Sequence, residues 1–407
     1  MTSVYERLGV PVVLNAAGTL TRLSGGPVRP EVAAAMAEAA GHSVDMARLQ
    51  AAAGARIAAV TGAEAGYVTP GAAAALMLGA AAILTGPKRA ALARLPERPP
   101  QRREFLVVRS QRNSYDIALR TAGARLVEVG LPDRASGAGV RDADPFEIED
   151  AIGEDTAAIF YVAGRSAAPP LTDVVRVARA AGIPVLVDAA AQLPPAANLR
   201  RFIEEGADLV AYSGGKAIGG PPASGILCGR ADLVSAAALQ HLDLDVFADL
   251  WRPPAGLIDA ARLGGPPRHG IGRACKVGKE QVVGLLAALD LFCAEGDAAR
   301  HARWLATLQA IAARLEAGGA LDAAGATLAL RDGDDIAAVP KLALTLAGDG
   351  GARAARLVLA LEDGQPPVHV DQSEHRAGTL VFNPVSLTAD AAAAVADATQ
   401  VALARMS

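Results

Sequence analysis

The sequence predicts an α/β protein, with a large domain built on a mostly parallel sheet and a smaller α+β domain after it. Three observations carry this. Between residues 105 and 230, short β-branched or apolar runs alternate with amphipathic stretches, the pattern of parallel strands joined by crossover helices. A Gly/Pro-rich connection, Trp251–Arg273, interrupts the alternation. Beyond it helices and strands segregate.

Residues 1–45 read as an irregular arm with a short helix, Pro30–Ala40, after Gly-Gly-Pro. Leu49–Thr61 places Leu49, Ala53, Ile57 and Val60 at helical spacing and stops at Gly62. Gly71–Leu84 is a second helix, apolar on most faces. Thr85–Glu104, rich in Pro and Arg, is a surface excursion. The expected strands are Phe105–Arg109, Arg125–Val129, Ala157–Val162, Pro184–Asp188, Asp208–Ser213 and Gly225–Cys228. The helices between them are Ser114–Ala122, Pro145–Ile152, Leu171–Ala181 and Asn198–Glu205. After the connection come helices over Lys279–Ala294 and Ala299–Ala317, and strands over Thr327–Leu330 and Leu342–Leu346. A helix over Ala352–Leu361, strands near Val368–Asp371 and Thr379–Phe382, and a closing helix complete the chain. The expected division is an arm (1–45), a cofactor-binding large domain (46–265) and a C-terminal small domain (266–407).

The 407 residues are 52% hydrophobic and 20% charged, which excludes disordered and fibrous classes. A net charge of −4 argues against a sequence-independent grip on nucleic acid. Cys228, Cys275 and Cys293 form no CxxC pair, so neither a disulfide framework nor a metal site is expected. The first residues lack a signal-peptide core, and Gly71–Leu84 is too short to span a bilayer. A reducing, cytoplasmic setting without membrane attachment is therefore expected.

The 39 basic residues include only five lysines, Lys88, Lys216, Lys276, Lys279 and Lys341. A lysine that survives such a bias toward arginine is worth asking about as a primary amine. Val185-Leu-Val-Asp188 is an apolar strand ending in a carboxylate, at the edge where open α/β sheets build their sites; a helix-capping aspartate reads the same way. The next strand ends in Ser213-Gly-Gly-Lys216. Glycines let the backbone turn tightly there, and an amine crowded by apolar groups loses solvation, so its neutral fraction rises. A solvated loop lysine is the plain alternative. Together, a carboxylate and a lysine at neighbouring strand ends suit pyridoxal 5'-phosphate. Lys216 would form the Schiff base, and Asp188 would keep the ring nitrogen protonated. Gly71, Ala72 and Ala73 open a helix after Pro70 and would offer backbone N–H groups to the phosphate, with Ser213 adding a hydroxyl.

At this point the sequence resembles the fold-type-I, aminotransferase-like pyridoxal-phosphate enzymes. In particular it resembles the selenocysteine synthase (L-seryl-tRNA selenium transferase) and D-glucosaminate-6-phosphate ammonia-lyase family. The stretches that carry the resemblance run in order through most of the chain: Leu14-Asn-Ala-Ala-Gly-Thr19, Val44-Asp-Met46, Thr61-Gly-Ala-Glu64, Gly71–Ala75, Ala122–Gly130, Ser213–Pro221, Gly225–Arg230 and Gly272–Glu280. The resemblance implies that Lys216 is the Schiff-base residue. It places Gln111 where many relatives stack a histidine on the ring. It points to Gln192 as a contact of the ring hydroxyl, although the Asp188–Gln192 spacing is one residue longer than the usual Asp-x-x-Gln. Asn383 stands where many aminotransferases have an arginine for the substrate carboxylate. Asn15 and Thr19, with Thr21, belong to an arm that the resemblance lays over the site. Arg273 and Lys276, which share a face with Lys279 if the segment is helical, are candidates to hold a substrate anion. His269 is a further candidate acid or base.

The expected function is a lyase that removes the α-proton of a small 2-amino acid or amino-sugar acid and releases ammonia by β-elimination. The runners-up are a racemase, a transferase of the selenocysteine-synthase type, or a non-catalytic binding protein with the same fold. A homodimer or higher homo-oligomer is expected. An aminoacyl-tRNA substrate is not, because no tRNA-engaging domain fits ahead of Asn15.

Overall fold

The computed structural model describes residues 3–131, 142–165, 167–388 and 390–406. The strands are β1 (Leu14–Ala16), β2 (Ala65–Thr69), β3 (Glu104–Val108), β4 (Arg125–Val129), β5 (Thr156–Val162), β6 (Val185–Asp188), β7 (Leu209–Ser213) and β8 (Gly225–Gly229). Four more follow: β9 (Ala326–Arg331), β10 (Lys341–Leu346), β11 (Val368–Val370) and β12 (Thr379–Phe382). Two compact units form, Arg29–Leu193 with Ala197–Asp290, and Met1–Val28 with Pro194–Ala196 and Leu291–Ser407.

The larger unit holds a seven-stranded sheet in the order β2-β8-β7-β6-β5-β3-β4. β4, β3, β5, β6 and β7 run parallel, and β8 is antiparallel to both its neighbours. The inner strands are buried almost throughout, which is why they read as continuous apolar runs rather than alternating ones. The helix Ala72–Thr85 shares a core with them, and its Gly79 stands against Leu186, Leu209 and Leu227. Small residues let this helix approach the sheet closely.

Several features differ from the sequence expectation. β2 was not anticipated, because Ala-Gly-Tyr-Val-Thr lacks the apolar run of its neighbours and its antiparallel partner β8 lies far along the chain. Its outer edge is closed by Gln50, which donates to the Val68 carbonyl at 2.9 Å and accepts the Val68 N–H at 3.0 Å. The larger unit also extends to Asp290 rather than ending near residue 265. Residues 270–275 are tied into it, since the Ile271 N–H donates to Gln240 Oε1 and the Cys275 carbonyl meets His241 Nε2. The excursion Thr85–Glu104 is only partly a surface feature, because Leu92 and Leu95 are buried in the core.

The smaller unit has an antiparallel sheet, β12-β10-β9, and a separate parallel pair, β1-β11. Its core includes Leu308, Ile311, Leu344, Leu357 and Phe382. The helical stretch Lys279–Ala317 is broken at Gly296 (φ 72°, ψ 164°), in agreement with the two separate helices expected there. β1 escaped the sequence reading because its partner lies some 350 residues downstream. Among the described residues, no helix is long and apolar enough to cross a membrane.

The approach of the helix Met46–Thr61 to β2 gives a test with a definite sign. Helix propensity alone would make Gly54→Ala stabilising by up to about 1 kcal/mol. However, a Cβ at Gly54 would stand 2.3 Å from the Gly66 carbonyl oxygen. Prising helix and strand apart costs about 1–3 kcal/mol. Gly54→Ala should therefore lower the urea midpoint at an unchanged m-value. A raised midpoint would show that propensity wins over the contact.

Candidate active site

β6 and β7 are parallel neighbours, with Asp188 in register with Ala211. Their last residues, Asp188 and Ser213, therefore lie at the same carboxyl edge of the sheet. Asp188 is 8% exposed, and its Oδ1 accepts the Ala190 N–H at 3.0 Å. Burial raises its pKa, opposed by the Ala190 N–H and by the positive charge of Lys216. Lys216 is displaced in the complementary sense: burial lowers its pKa, opposed by Asp188. Each charge is thus costly alone and partly stabilised by the other.

The turn that delivers Lys216 depends on close backbone approach. The Gly214 N–H donates to the Ser224 carbonyl, and the Gly220 N–H donates to the Gly214 carbonyl. A Cβ at Gly215 would lie 2.6 Å from the Pro222 Cα, and one at Gly214 would lie 2.3 Å from the Ser224 Oγ. Ser224, fully buried, donates from its hydroxyl to the Pro221 carbonyl at 2.6 Å. Sequence reading passed over Ser224, and only the Gly-Gly-Pro-Pro run before it hinted at a tightly wound return.

The helix Ala72–Thr85 begins at Gly71, whose φ of 111° is in a region that favours glycine, and no side chain caps it. The first-turn N–H groups of Ala72 and Ala73 lie outside the intrahelical ladder and suit an anion. Gly225, just past Ser224, packs so closely on Gly71 that a Cβ there would meet the Gly71 carbonyl carbon at 2.5 Å. The start of this helix is therefore fixed beside the end of β7, where Ser213 is half-buried.

The remaining residues singled out from the sequence fall in several places. Gln111 is buried, accepting the Val162 N–H at 3.0 Å and donating to the Ala168 carbonyl at 3.3 Å. Its amide thus ties β5 to the following loop. Gln192 is half-buried in the turn after Asp188; its N–H donates to the Ala189 carbonyl, and its carbonyl accepts from Asn198 Nδ2 at 2.6 Å. Arg273 donates from Nη2 to Asp243 at 2.8 Å, and its buried Nε has no partner. Lys276 is exposed. The segment is not one helix, since a 3-10 turn covers Ile271–Ala274 and the long helix starts only at Lys279. The shared helical face of Lys276 and Lys279 is therefore not formed, and Lys279 pairs with Glu280 instead. Asp243, Asp245 and His269 converge, yet His269 Nε2 already accepts the Leu244 N–H at 3.2 Å.

In the smaller unit, Asn15 is buried and fully occupied within the arm. Its Nδ2 donates to the Gly18 and Gly25 carbonyls, and its Oδ1 accepts the Ala17 N–H. Thr19 is half-buried, and Asn383 Oδ1 accepts the Val385 N–H as a cap.

One polar chain has no sequence signal. His241, buried, must donate from Nε2 to the Cys275 carbonyl at 2.7 Å. Its Nδ1 therefore accepts from the Tyr67 hydroxyl at 2.9 Å. Burial lowers the His241 pKa, in keeping with the neutral ring that this pattern requires.

Comparison with known proteins gives a consistent relationship. The family model described as "SelA: L-seryl-tRNA selenium transferase" matches residues 43–245. A 5'-C-glycyluridine monooxygenase-decarboxylase from Streptomyces sp is 32% identical over 400 residues, covering 96% of this chain and 89% of that protein. The D-glucosaminate-6-phosphate ammonia lyase of Salmonella typhimurium is 32% identical over 296 residues, 71% of this chain and 69% of that one. A solved structure of D-glucosaminate-6-phosphate ammonia-lyase superposes with a TM-score of 0.78 at 27% identity, covering 100% of this chain and 99% of that one. The chain belongs to the aminotransferase-fold family of pyridoxal-phosphate enzymes that includes L-seryl-tRNA selenium transferase and D-glucosaminate-6-phosphate ammonia lyase.

Proposed function

We propose that the protein is a pyridoxal-phosphate-dependent lyase that deaminates a 2-amino acid bearing a hydroxyl on the neighbouring carbon. The observation that carries the cofactor part of this reading is the placement of Asp188 and Lys216 at the ends of neighbouring parallel strands, where burial raises the pKa of one and lowers that of the other. The lyase part rests on the relatives. The cofactor fits these residues: an amine already shifted toward neutrality, a buried carboxylate lacking a full partner, and uncapped helix N–H groups with a hydroxyl beside them. When bound, pyridoxal phosphate supplies an aldehyde that captures an amine and a protonated ring that accepts the electron pair released at the α-carbon.

Lys216 would hold the cofactor, and its amine would take the α-proton, a task suited to an amine whose pKa burial has lowered. Asp188 holds a proton at the ring nitrogen, because a buried carboxylate without a cation opposite is costly. Ala72, Ala73 and Ser213 bind the phosphate, with Gly71 freeing the turn. Gln111 and Gln192 act by fixing the loops that follow β5 and β6. Arg273 and Lys276 are read as the cations for the substrate's anionic groups, and Asn15 and Thr19 as the arm that shapes access. In balance, the substrate loses its α-proton and β-hydroxyl as water, and hydrolysis then returns a water and releases ammonia and a 2-keto acid.

The substrate class rests on chemistry shared by two relatives. D-glucosaminate and a glycyl group on C5' of uridine are both 2-amino acids with a hydroxylated carbon beside the α-carbon. A second reading, oxidative decarboxylation of the same class, is favoured by the 89% coverage of the monooxygenase-decarboxylase. Nucleic acid is not proposed as a substrate: L-seryl-tRNA(Sec) selenium transferases align over only 28 to 35% of this chain. We read the protein as cytoplasmic and as a homodimer or larger assembly; exposed apolar side chains such as Phe247 (77%) and Leu8 (71%) support the assembly.

Borohydride reduction of the holoprotein followed by peptide mapping should place the pyridoxyl group on Lys216, and its recovery on Lys276 or Lys279 would overturn that role. A panel of D- and L-2-amino-3-hydroxy acids and amino-sugar acids should yield ammonia and a keto acid without oxygen uptake. In the same assay Asp188→Asn should lose about a hundredfold or more in rate while keeping the cofactor absorbance. Carbon dioxide release coupled to oxygen consumption would move the assignment to the second reading. Light scattering should give at least twice the mass of one chain, and an active monomer would refute the assembly.

A further inference from the structure

The Pro- and Arg-rich excursion has no part in the proposed chemistry, and its charge is unusual. From Gly86 to Arg103 it carries Lys88, Arg89, Arg94, Arg98, Arg102 and Arg103 against Glu97 alone, in a protein whose net charge is −4. A cavity of about 380 Å³ opens where this excursion meets the amino ends of the parallel strands. Lys88, Arg102 and Arg230 line it, with Ile83, Leu84 and Leu233 supplying apolar surface. It lies at the sheet edge opposite to Asp188, because Pro184, also in its wall, precedes the first residue of β6. Four residues of β6 correspond to about 13 Å of extended chain.

Two of the three cations come from the excursion and the third, Arg230, follows β8; among the described residues no carboxylate lines the cavity. Arg230 is already matched by Asp208 and Asp232. Lys88 and Arg102 have no acidic partner among the described residues. Arg102 is anchored all the same, since its Nε donates to the Thr156 carbonyl at 2.6 Å, which leaves the other end of the guanidinium for a ligand. Two unmatched cations held around one concavity repel each other, and an anion between them removes that cost. A planar guanidinium beside an ammonium suits a phosphoryl group, which accepts paired N–H donors and carries up to two negative charges. The apolar wall suits the carbon body of the ligand, and the volume falls within the range of small-molecule sites.

We propose that this cavity binds a phosphorylated small organic molecule, at a site separate from the cofactor, through Lys88 and Arg102. The test is calorimetric titration of the holoprotein, whose cofactor cradle is filled, with AMP, adenosine and inorganic phosphate as probes. The comparison protein is the Lys88→Gln/Arg102→Gln double variant; both substituted side chains are exposed, so the cofactor absorbance should be unchanged. AMP should bind the unaltered protein about tenfold or more tightly than the variant, with adenosine weaker than AMP. Inorganic phosphate should displace AMP while binding more weakly. Equal AMP affinity in both proteins, no AMP binding to either, or adenosine binding as tightly as AMP would overturn the proposal. So would phosphate matching AMP, which would leave the apolar wall without a role. Bulk tRNA whose binding the double substitution abolishes, with AMP inert, would assign the cations to RNA instead.

Discussion

The site rests on two opposite charges that share a buried sheet edge. A carboxylate at the end of β6 and an ammonium just beyond β7 are each disfavoured by loss of water, and each recovers part of that loss from the other. The arrangement depends on parallel pairing, because only neighbouring strands running in the same direction bring both carboxyl ends to one side. It depends equally on a backbone path short enough to return Lys216 toward the sheet. Gly214 and Gly215 let the chain pass against Ser224 and Pro222 at distances that no side chain would permit.

The same economy of space places the start of the helix Ala72–Thr85, to which the proposal gives the cofactor phosphate. Most of this helix is buried, so its alanines serve packing first, and its uncapped first turn is left over for a ligand. That turn is held by what stands on either side of it. Gly225 lets β8 press on Gly71, and Gln50 satisfies the outer edge of β2, the strand that leads into the turn. Through Tyr67 and His241 the same strand is linked to residue 275, so the segment carrying Arg273 and the strand leading to the helix start share one polar chain. A helix start built this way is preorganised by the core.

Much of this architecture was legible in the sequence, for identifiable reasons. Strands buried on both faces announce themselves as apolar runs, and five of them fell near the bounds read from the chain. Asp188 and Lys216 were readable because a polar residue ending such a run has one edge to occupy. What escaped was set by partners distant in sequence. β1 exists because of β11, and β2 because of β8. Gln111 and Asn15 looked available for ligands, yet tertiary neighbours occupy both ends of each amide, at Val162 and Ala168 for one and within the arm for the other. The helical face expected for Lys276 and Lys279 failed for a local reason: Gly278 precedes the long helix, and the residues before it turn as a 3-10 helix against Gln240 and His241.

The two functional readings share the Asp188–Lys216 pair, so that pair does not discriminate between them. What separates deamination from decarboxylation is the fate of the substrate's carboxylate. A cation held on that carboxylate stabilises its charge and opposes its departure as carbon dioxide, whereas an apolar surround promotes departure. Arg273 has one end committed to Asp243 and a buried Nε without an acceptor, while Lys276 has no ion-pair partner among the described residues. Cations with unfilled capacity of this kind are suited to retaining a carboxylate. Under the proposal that Arg273 and Lys276 face the substrate, the lyase reading is the stronger of the two on electrostatic grounds.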